Sequence, residues 1–349
     1  MKKHNVILLV VFCFLILFSC NEPETVVTNY VHRDGSVTRL IEMRSTEKKF
    51  DVCNVQVPYD STWQIKDTIE IPENGKDTVW VRKAEKAFIS IDELNHDYIH
   101  DSSHNAAFRR SASFKKEFKW FHTTYRFSEK VDRIMEFGLP LNDFLTEDEM
   151  KFFYSPGYAF DEPEDSPDSL HIRKMKEAVE SNIETWIEKS LISEWIGQFG
   201  KIAGEGAGPV VNELKARETE IFDDLTNEYN EKFDSLWDAG ILQKKYMGSG
   251  NAEKFKDMAD SALKITASSV SLEFGEYTLK TVMPGQMVAT NGYIDSSGVV
   301  LWPVISDYII TEPYEMWTES RVTNVWAWVL SGFFLLFVIT GVIIKQKKG

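Results

Sequence analysis

Cysteine is scarce: the 349 residues contain only Cys13, Cys20 and Cys53. Cys13 lies inside an apolar leader and Cys20 at its end. That leaves Cys53, and a single thiol closes no intramolecular disulfide, so stability has to come from packing. Within the strand-like run Val52–Val57, Cys53 reads as a small buried hydrophobe. Acidic residues are missing from both ends, which carry Lys2, Lys3, Lys345, Lys347 and Lys348. With these five set aside, 34 basic residues face 54 acidic ones, a balance of −20 against −15 for the whole chain. A body so acidic is repelled by nucleic acid and by anionic lipid headgroups, which argues against a nucleic-acid partner. Neither G-x-S-x-G nor H-E-x-x-H occurs. The glycine-rich stretch Gly204–Gly208 follows a helical pattern rather than a strand, so it reads as a helix–helix turn and not a phosphate loop. No internal repeat is visible, no constellation argues for catalysis, and no cofactor is expected.

What the sequence does contain is two apolar ends. Lys2 and Lys3 precede the 13-residue run Val6–Phe18, which is too short to span a bilayer and has the form of a secretory signal. Leu17-Phe18-Ser19-Cys20 follows it and resembles a bacterial lipobox. The resemblance implies cleavage after residue 19 and acylation of Cys20, with palmitate among the attached chains. At the other end, 322–344 carries no charged residue and Lys345 follows at once. Val325–Ile344 is 20 residues, about 30 Å as a helix, which matches the hydrocarbon core. Thirteen of these are Leu, Ile, Phe or Val, favouring insertion by roughly −4 to −8 kcal/mol. Trp326 and Trp328 suit the outer interface, while Lys345, Lys347 and Lys348 mark the cytoplasmic side. The expected address is a bacterial cell membrane, the inner one where there are two, with the body periplasmic or extracellular and the C-terminus cytoplasmic.

Between the ends the hydrophobic period changes twice. Residues 20–138 read as β-rich. Asp34-Gly35 suits a type I′ hairpin, strand-like runs fall at Val52–Val57, Thr62–Ile71 and Thr78–Arg82, and Ser113–Phe127 reads as one strand apolar on both faces. Residues 139–268 read as a helical insertion. Thr146-x-x-Glu149 is a capping box, and the spacing predicts one long helix over Leu170–Ile202, a second apolar stripe from Val211 to Trp237 with Pro209 at its start, and a shorter helix over Ala252–Ala267. Trp186, Trp195 and Trp237 on these stripes read as core, or as the wall of a groove for an apolar chain. Residues 269–321 return to β, with Val270–Val282, Met287–Ile294 and Val299–Val304 joined by Pro284-Gly285 and Asp295–Gly298. The last pieces are the span at 322–344 and a tail at 345–349. The expected class is α+β: a β-rich extracytoplasmic domain with a helical insertion and one C-terminal transmembrane helix.

Met283-Pro284-Gly285, Thr290-Asn291-Gly292 and Val300-Leu301-Trp302 resemble the C-terminal part of the LppM-like domain of bacterial envelope lipoproteins. The resemblance implies a non-enzymatic, membrane-proximal domain with a groove for apolar ligands.

Two polar clusters invite chemistry. His96, His100 and His104 fall at i, i+4 and i+8, which on a helix would bring three imidazoles to one face for zinc, with Asp97 and Asp101 behind them. The surrounding DYIHDSSHN is rich in poor helix formers, so the histidines read as a solvated loop. Glu312, Glu315 and Glu319 read as a solvated face just before the span. The expected function is that of a membrane-anchored envelope lipoprotein, a binding or assembly module for a membrane partner or an apolar ligand. The alternative is a metal-dependent envelope hydrolase built on the three histidines.

Overall fold

The computed structural model describes residues 23–46, 50, 59–71, 78–100, 109–133, 137–159, 169–227, 232–270 and 275–348. Cys20, Cys53, His104 and the run Val52–Val57 lie outside them. The first segment contains β1 (Glu24–Val31), β2 (Val37–Ser45), β3 (Gln64–Glu70), β4 (Val79–Phe88), α1 (Ile91–Ile99), β5 (Arg110–Lys119) and β6 (His122–Val131). The middle is helical: α2 (Glu147–Phe153), α3 (Pro156–Ala159), α4 (Ser169–Ala203), α5 (Gly208–Ala216), α6 (Glu218–Asn227), α7 (Phe233–Asp238), α8 (Ile241–Met247), α9 (Ser249–Lys254) and α10 (Lys256–Val270). The chain returns with β7 (Tyr277–Val282), β8 (Gln286–Thr290), β9 (Tyr293–Ile294), β10 (Val300–Val304), α11 (Ser306–Thr311), β11 (Tyr314–Thr323) and α12 (Val325–Lys348). The α+β class expected from the pattern is what forms. Two compact units result, one spanning Met135–Glu273 and the other combining Glu22–Ile134 with Phe274–Gly349.

The second unit is a sandwich of two sheets. One runs β3-β4-β2-β1-β7-β10-β9 and the other β5-β6-β11-β8. β1 and β7 pair in parallel, which joins the segments on either side of the helical middle, and the remaining pairings are antiparallel. Alternation supplies the core: Val27, Val31, Val37, Ile41 and Met43 of one sheet share a cluster with Phe127, Val131 and Met316 of the other. Ions are sealed into the same layer. Arg39 and Glu129 are both essentially inaccessible and pair directly. Asn29 accepts from Arg39 Nε at 2.8 Å and donates to Glu129 at 3.1 Å, and the Tyr98 hydroxyl donates to Glu129 at 2.9 Å. Burial works against the Arg39 charge, but Glu129 and Tyr98 outweigh it and hold the guanidinium above its usual range. Burial pushes the Tyr98 phenol well up, with the Arg39 cation opposing. Arg110, also buried, stacks 5.5 Å from the Tyr277 ring, and none of its three guanidinium nitrogens has a hydrogen-bond partner among the described residues.

Local chemistry explains the Pro-Gly and Asn-Gly motifs. Gly285 has φ +86°, and a Cβ there would lie 2.5 Å from the Arg321 carbonyl oxygen. A Cβ on Gly292 would lie 2.5 Å from the Trp302 ring. Asn291 Oδ1 accepts from Trp302 Nε1 at 3.0 Å and from the Trp317 N–H at 2.8 Å.

Several details differ from the reading of the sequence. The β1–β2 turn is not type I′ on Asp34-Gly35: Gly35 N–H reaches the His32 carbonyl at 3.1 Å, so Arg33 and Asp34 are central, and Gly35 follows at φ +93°. Residues 113–127 are not one strand buried on both faces. They are a hairpin, β5 and β6, turning at Trp120-Phe121 between paired Lys119 and His122. The histidine segment is helical through Ile99 rather than a loop. Ser90 caps α1 by accepting from Glu93 N–H at 3.2 Å, and Asn95 bonds both backbone groups of Ala112, so docking on β5 overrides weak propensity. The strand expected from Val270 begins at Tyr277, because α10 continues to Val270. Val322 and Thr323 belong to β11, so the apolar helix starts at Val325.

In the other unit α4 is the spine. Its 35 residues make a rod of about 52 Å. The capping box at Thr146 and Glu149 forms as expected. Val179, Ile183 and Trp186 are buried along α4, with Trp186 Nε1 donating to the Leu139 carbonyl at 2.8 Å. Further on, Trp195, Ile196 and Phe199 join Leu214, Ile221, Met247 and Ala259 in one cluster. Of the three tryptophans, Trp186 and Trp195 are core and Trp237 is half-buried against Trp195 at 5.5 Å. The second stripe is broken rather than continuous. Arg217 ends α5 by bonding the carbonyls of Lys245 and Tyr246, and Gly240, at φ +69°, precedes α8.

Candidate functional site

One set of polar and aromatic groups outside the two cores gathers where β11 runs into α12. One residue, Asn324, separates them. Asn324 occupies the position that opens the helix: its carbonyl accepts from Ala327 N–H at 2.9 Å. An asparagine there usually caps its own helix. This one turns to the β5–β6 hairpin instead. Its N–H donates to the Phe121 carbonyl at 2.9 Å, and its Nδ2 donates to Lys119 O at 2.8 Å and Trp120 O at 3.3 Å. Its Oδ1 accepts from Thr123 Oγ1 at 3.1 Å. Asn324 thus satisfies all three carbonyls at the hairpin tip.

Rings complete the junction. Phe118 stacks on Trp326 at 6.2 Å, Trp120 meets Trp326 edge-on at 5.3 Å, and Phe121 lies 4.4 Å from Trp328. Trp120 Nε1 donates to Ser331 Oγ at 2.9 Å, nearly two turns into α12. All five aromatic residues remain exposed, from 39% at Phe121 to 57% at Phe118. The helix itself is long and apolar enough to cross a membrane, and only 6% of its apolar window is buried, unlike a core helix. Lys345 and Lys347 are exposed in its final turn.

No protein-family model, curated protein or solved structure matches this chain.

The expected interface residues Trp326 and Trp328 are at the junction, but their partners were not foreseen. Asn324, Trp120, Phe121 and Ser331 carry the geometry. One signal existed for Asn324: a good N-cap residue directly precedes the apolar run. Two of the three histidines lie among the described residues. His96 lies on α1 and His100 caps it, with stacked rings 3.8 Å apart, and His100 Nδ1 lies 2.9 Å from the His96 carbonyl oxygen. Among the described residues no three His, Cys, Asp or Glu side chains are grouped to hold a metal. Glu312 caps α11, while Glu315 and Glu319 lie on β11.

Proposed function

We propose that the protein is a single-pass envelope lipoprotein, anchored by acylated Cys20 and by α12, whose extracytoplasmic body is a binding or assembly module for a membrane partner or an apolar ligand. The observation that carries this reading is the junction at Asn324. With one residue between β11 and α12, and that residue bonded into the neighbouring hairpin, the sandwich is set in a fixed pose on the helix. A flexible tether would let the body roam; this joint suits a surface that must meet another membrane component in one orientation. The lysines after Ile344 support a cytoplasmic C-terminus. A protein partner is supported by β3, an edge strand that exposes Ile65 at 46%, Ile69 at 52% and the adjoining Ile71 at 76%.

Two experiments test it. Cys20→Ala should abolish palmitate incorporation and still leave the chain in the membrane fraction; release into the soluble fraction would contradict the second anchor. A photo-crosslinking residue at Lys66 on β3 should capture one envelope protein or lipid reproducibly in intact cells. Capture of nothing, or a different product in each repeat, would overturn the binding role.

A further inference from the structure

The β5–β6 hairpin and α12 overlap along the helix axis. Ser331 lies six residues beyond Val325, about 9 Å along the helix, and the Trp120 indole is bonded to it. If α12 fills the hydrocarbon core, nearly the whole of Val325–Ile344 is needed to do so. The hairpin tip cannot then stay in water. It stands level with the first two turns of the helix, on the lipid side of the interface.

The tip is built for that position. Lipid offers no hydrogen bonds, so backbone groups that enter it must be satisfied by the protein. The carbonyls of Lys119, Trp120 and Phe121 are all taken by Asn324, and the indole N–H of the Trp120 side chain is taken by Ser331. The rings of Phe118, Trp120, Phe121, Trp326 and Trp328 are exposed at this level, and tryptophan is a residue type that prefers the interface. The arms behind the tip suit headgroups. Residues 115–126 carry Lys115, Lys116, Lys119 and Arg126 against the single acid Glu117, in a body whose net charge is otherwise strongly negative.

We infer that the Trp120-Phe121 tip is a second membrane contact, inserted into the outer leaflet beside α12, with the lysines of β5 lying at anionic lipid headgroups. The inference rests on α12 spanning the bilayer. Its consequence is that the sandwich is held at the membrane by two adjacent elements, which fixes its tilt as well as its distance.

Depth measurement tests this with the full chain in vesicles of phosphatidylethanolamine and phosphatidylglycerol. Nitroxide labels are placed singly at Phe121→Cys, Val338→Cys and Glu70→Cys, in a chain whose Cys13, Cys20 and Cys53 are alanine. The ratio of oxygen to nickel-chelate accessibility should be several-fold higher at positions 121 and 338 than at position 70. A label at 121 that matches 70 while 338 is deep would overturn the insertion and leave the spanning helix standing. A shallow label at 338 would overturn the span and with it this inference. Because a label at 121 could disturb the tip, the Asn324→Ala variant provides a second arm. Freeing the Lys119 and Trp120 carbonyls should lower the accessibility ratio at 121 several-fold and leave 338 unchanged; an unchanged ratio at 121 would count against the role given to Asn324.

Discussion

In the sandwich the interior holds ions: Arg39, Glu129 and Arg110 are buried between the sheets. The buried polar residues described in the helical unit are Ser190, Gln243 and Thr266, none of them charged. There the indole N–H of Trp195 reaches the Ala259 carbonyl at 3.3 Å, and otherwise apolar side chains fill the space. The difference follows from how each interior is assembled. A helix places its core residues by local periodicity, so an apolar stripe is sufficient. A sandwich must choose among strand registers, and a slip of one residue sends every inward side chain outward. Arg39 and Glu129 are 90 residues apart and meet only when β2 and β6 are both in register. A buried pair adds little net stability but penalises the wrong pairing heavily. In this protein we read it as a register lock.

Breaking that lock should give the largest effect. Glu129→Leu leaves the Arg39 charge buried without its partner and should cost about 3–5 kcal/mol. Amide exchange on the detergent-solubilised chain should accelerate across β1, β2, β5 and β6 but not along α4; equal acceleration in α4 would show that the two units do not unfold separately. The matching cut in the helical unit is Leu214→Ala, a fully buried side chain, expected to cost about 2–5 kcal/mol with the exchange pattern reversed.

A smaller effect tests packing rather than charge. Gly292→Ala pushes a methyl against the Trp302 ring and should cost about 1–3 kcal/mol, read as a lower urea midpoint for the sandwich. An unchanged midpoint would mean that the ring can move aside.

The smallest effect lies in the helical unit and depends on pH. Burial first, and the neighbouring Glu184 second, raise the Glu188 carboxyl from 4.5 to about 7. The folded state therefore keeps a proton that the unfolded chain releases. The contribution of Glu188 to the stability of this unit should be fully present below pH 4.5, should be lost as pH rises towards 7, and should then level off. Glu188 is only half-buried, so solvent screening keeps the slope shallow. Glu188→Gln should flatten the slope in thermal melts taken across that range. A slope that survives the substitution assigns it to another group.

How much was legible in advance differs between the regions. The long helix α4 and the capping box at Thr146 were readable because each rests on contacts within a few residues. The hairpin at Trp120-Phe121 was not. It has no glycine or proline to mark the turn, and its aromatic residues imitate the alternation of a single strand. Helix α1 was missed because Asn95 and Ala112, 17 residues apart, hold it in place. At the junction the tryptophans of the apolar helix were readable and their partners were not, since Trp120 and Ser331 lie 211 residues apart.

By itself the sequence determined what is local: an apolar helix of bilayer length with lysines after it, the alternation of strand and helix segments, and the acidity of the body. Those properties depend on side-chain chemistry and short periods, which need no fold to express them. Tertiary structure alone decided which charges meet inside the sandwich and that Asn324 turns from its own helix to the hairpin. Both outcomes depend on strand registers that bring distant residues within hydrogen-bond reach, and no local pattern encodes that proximity.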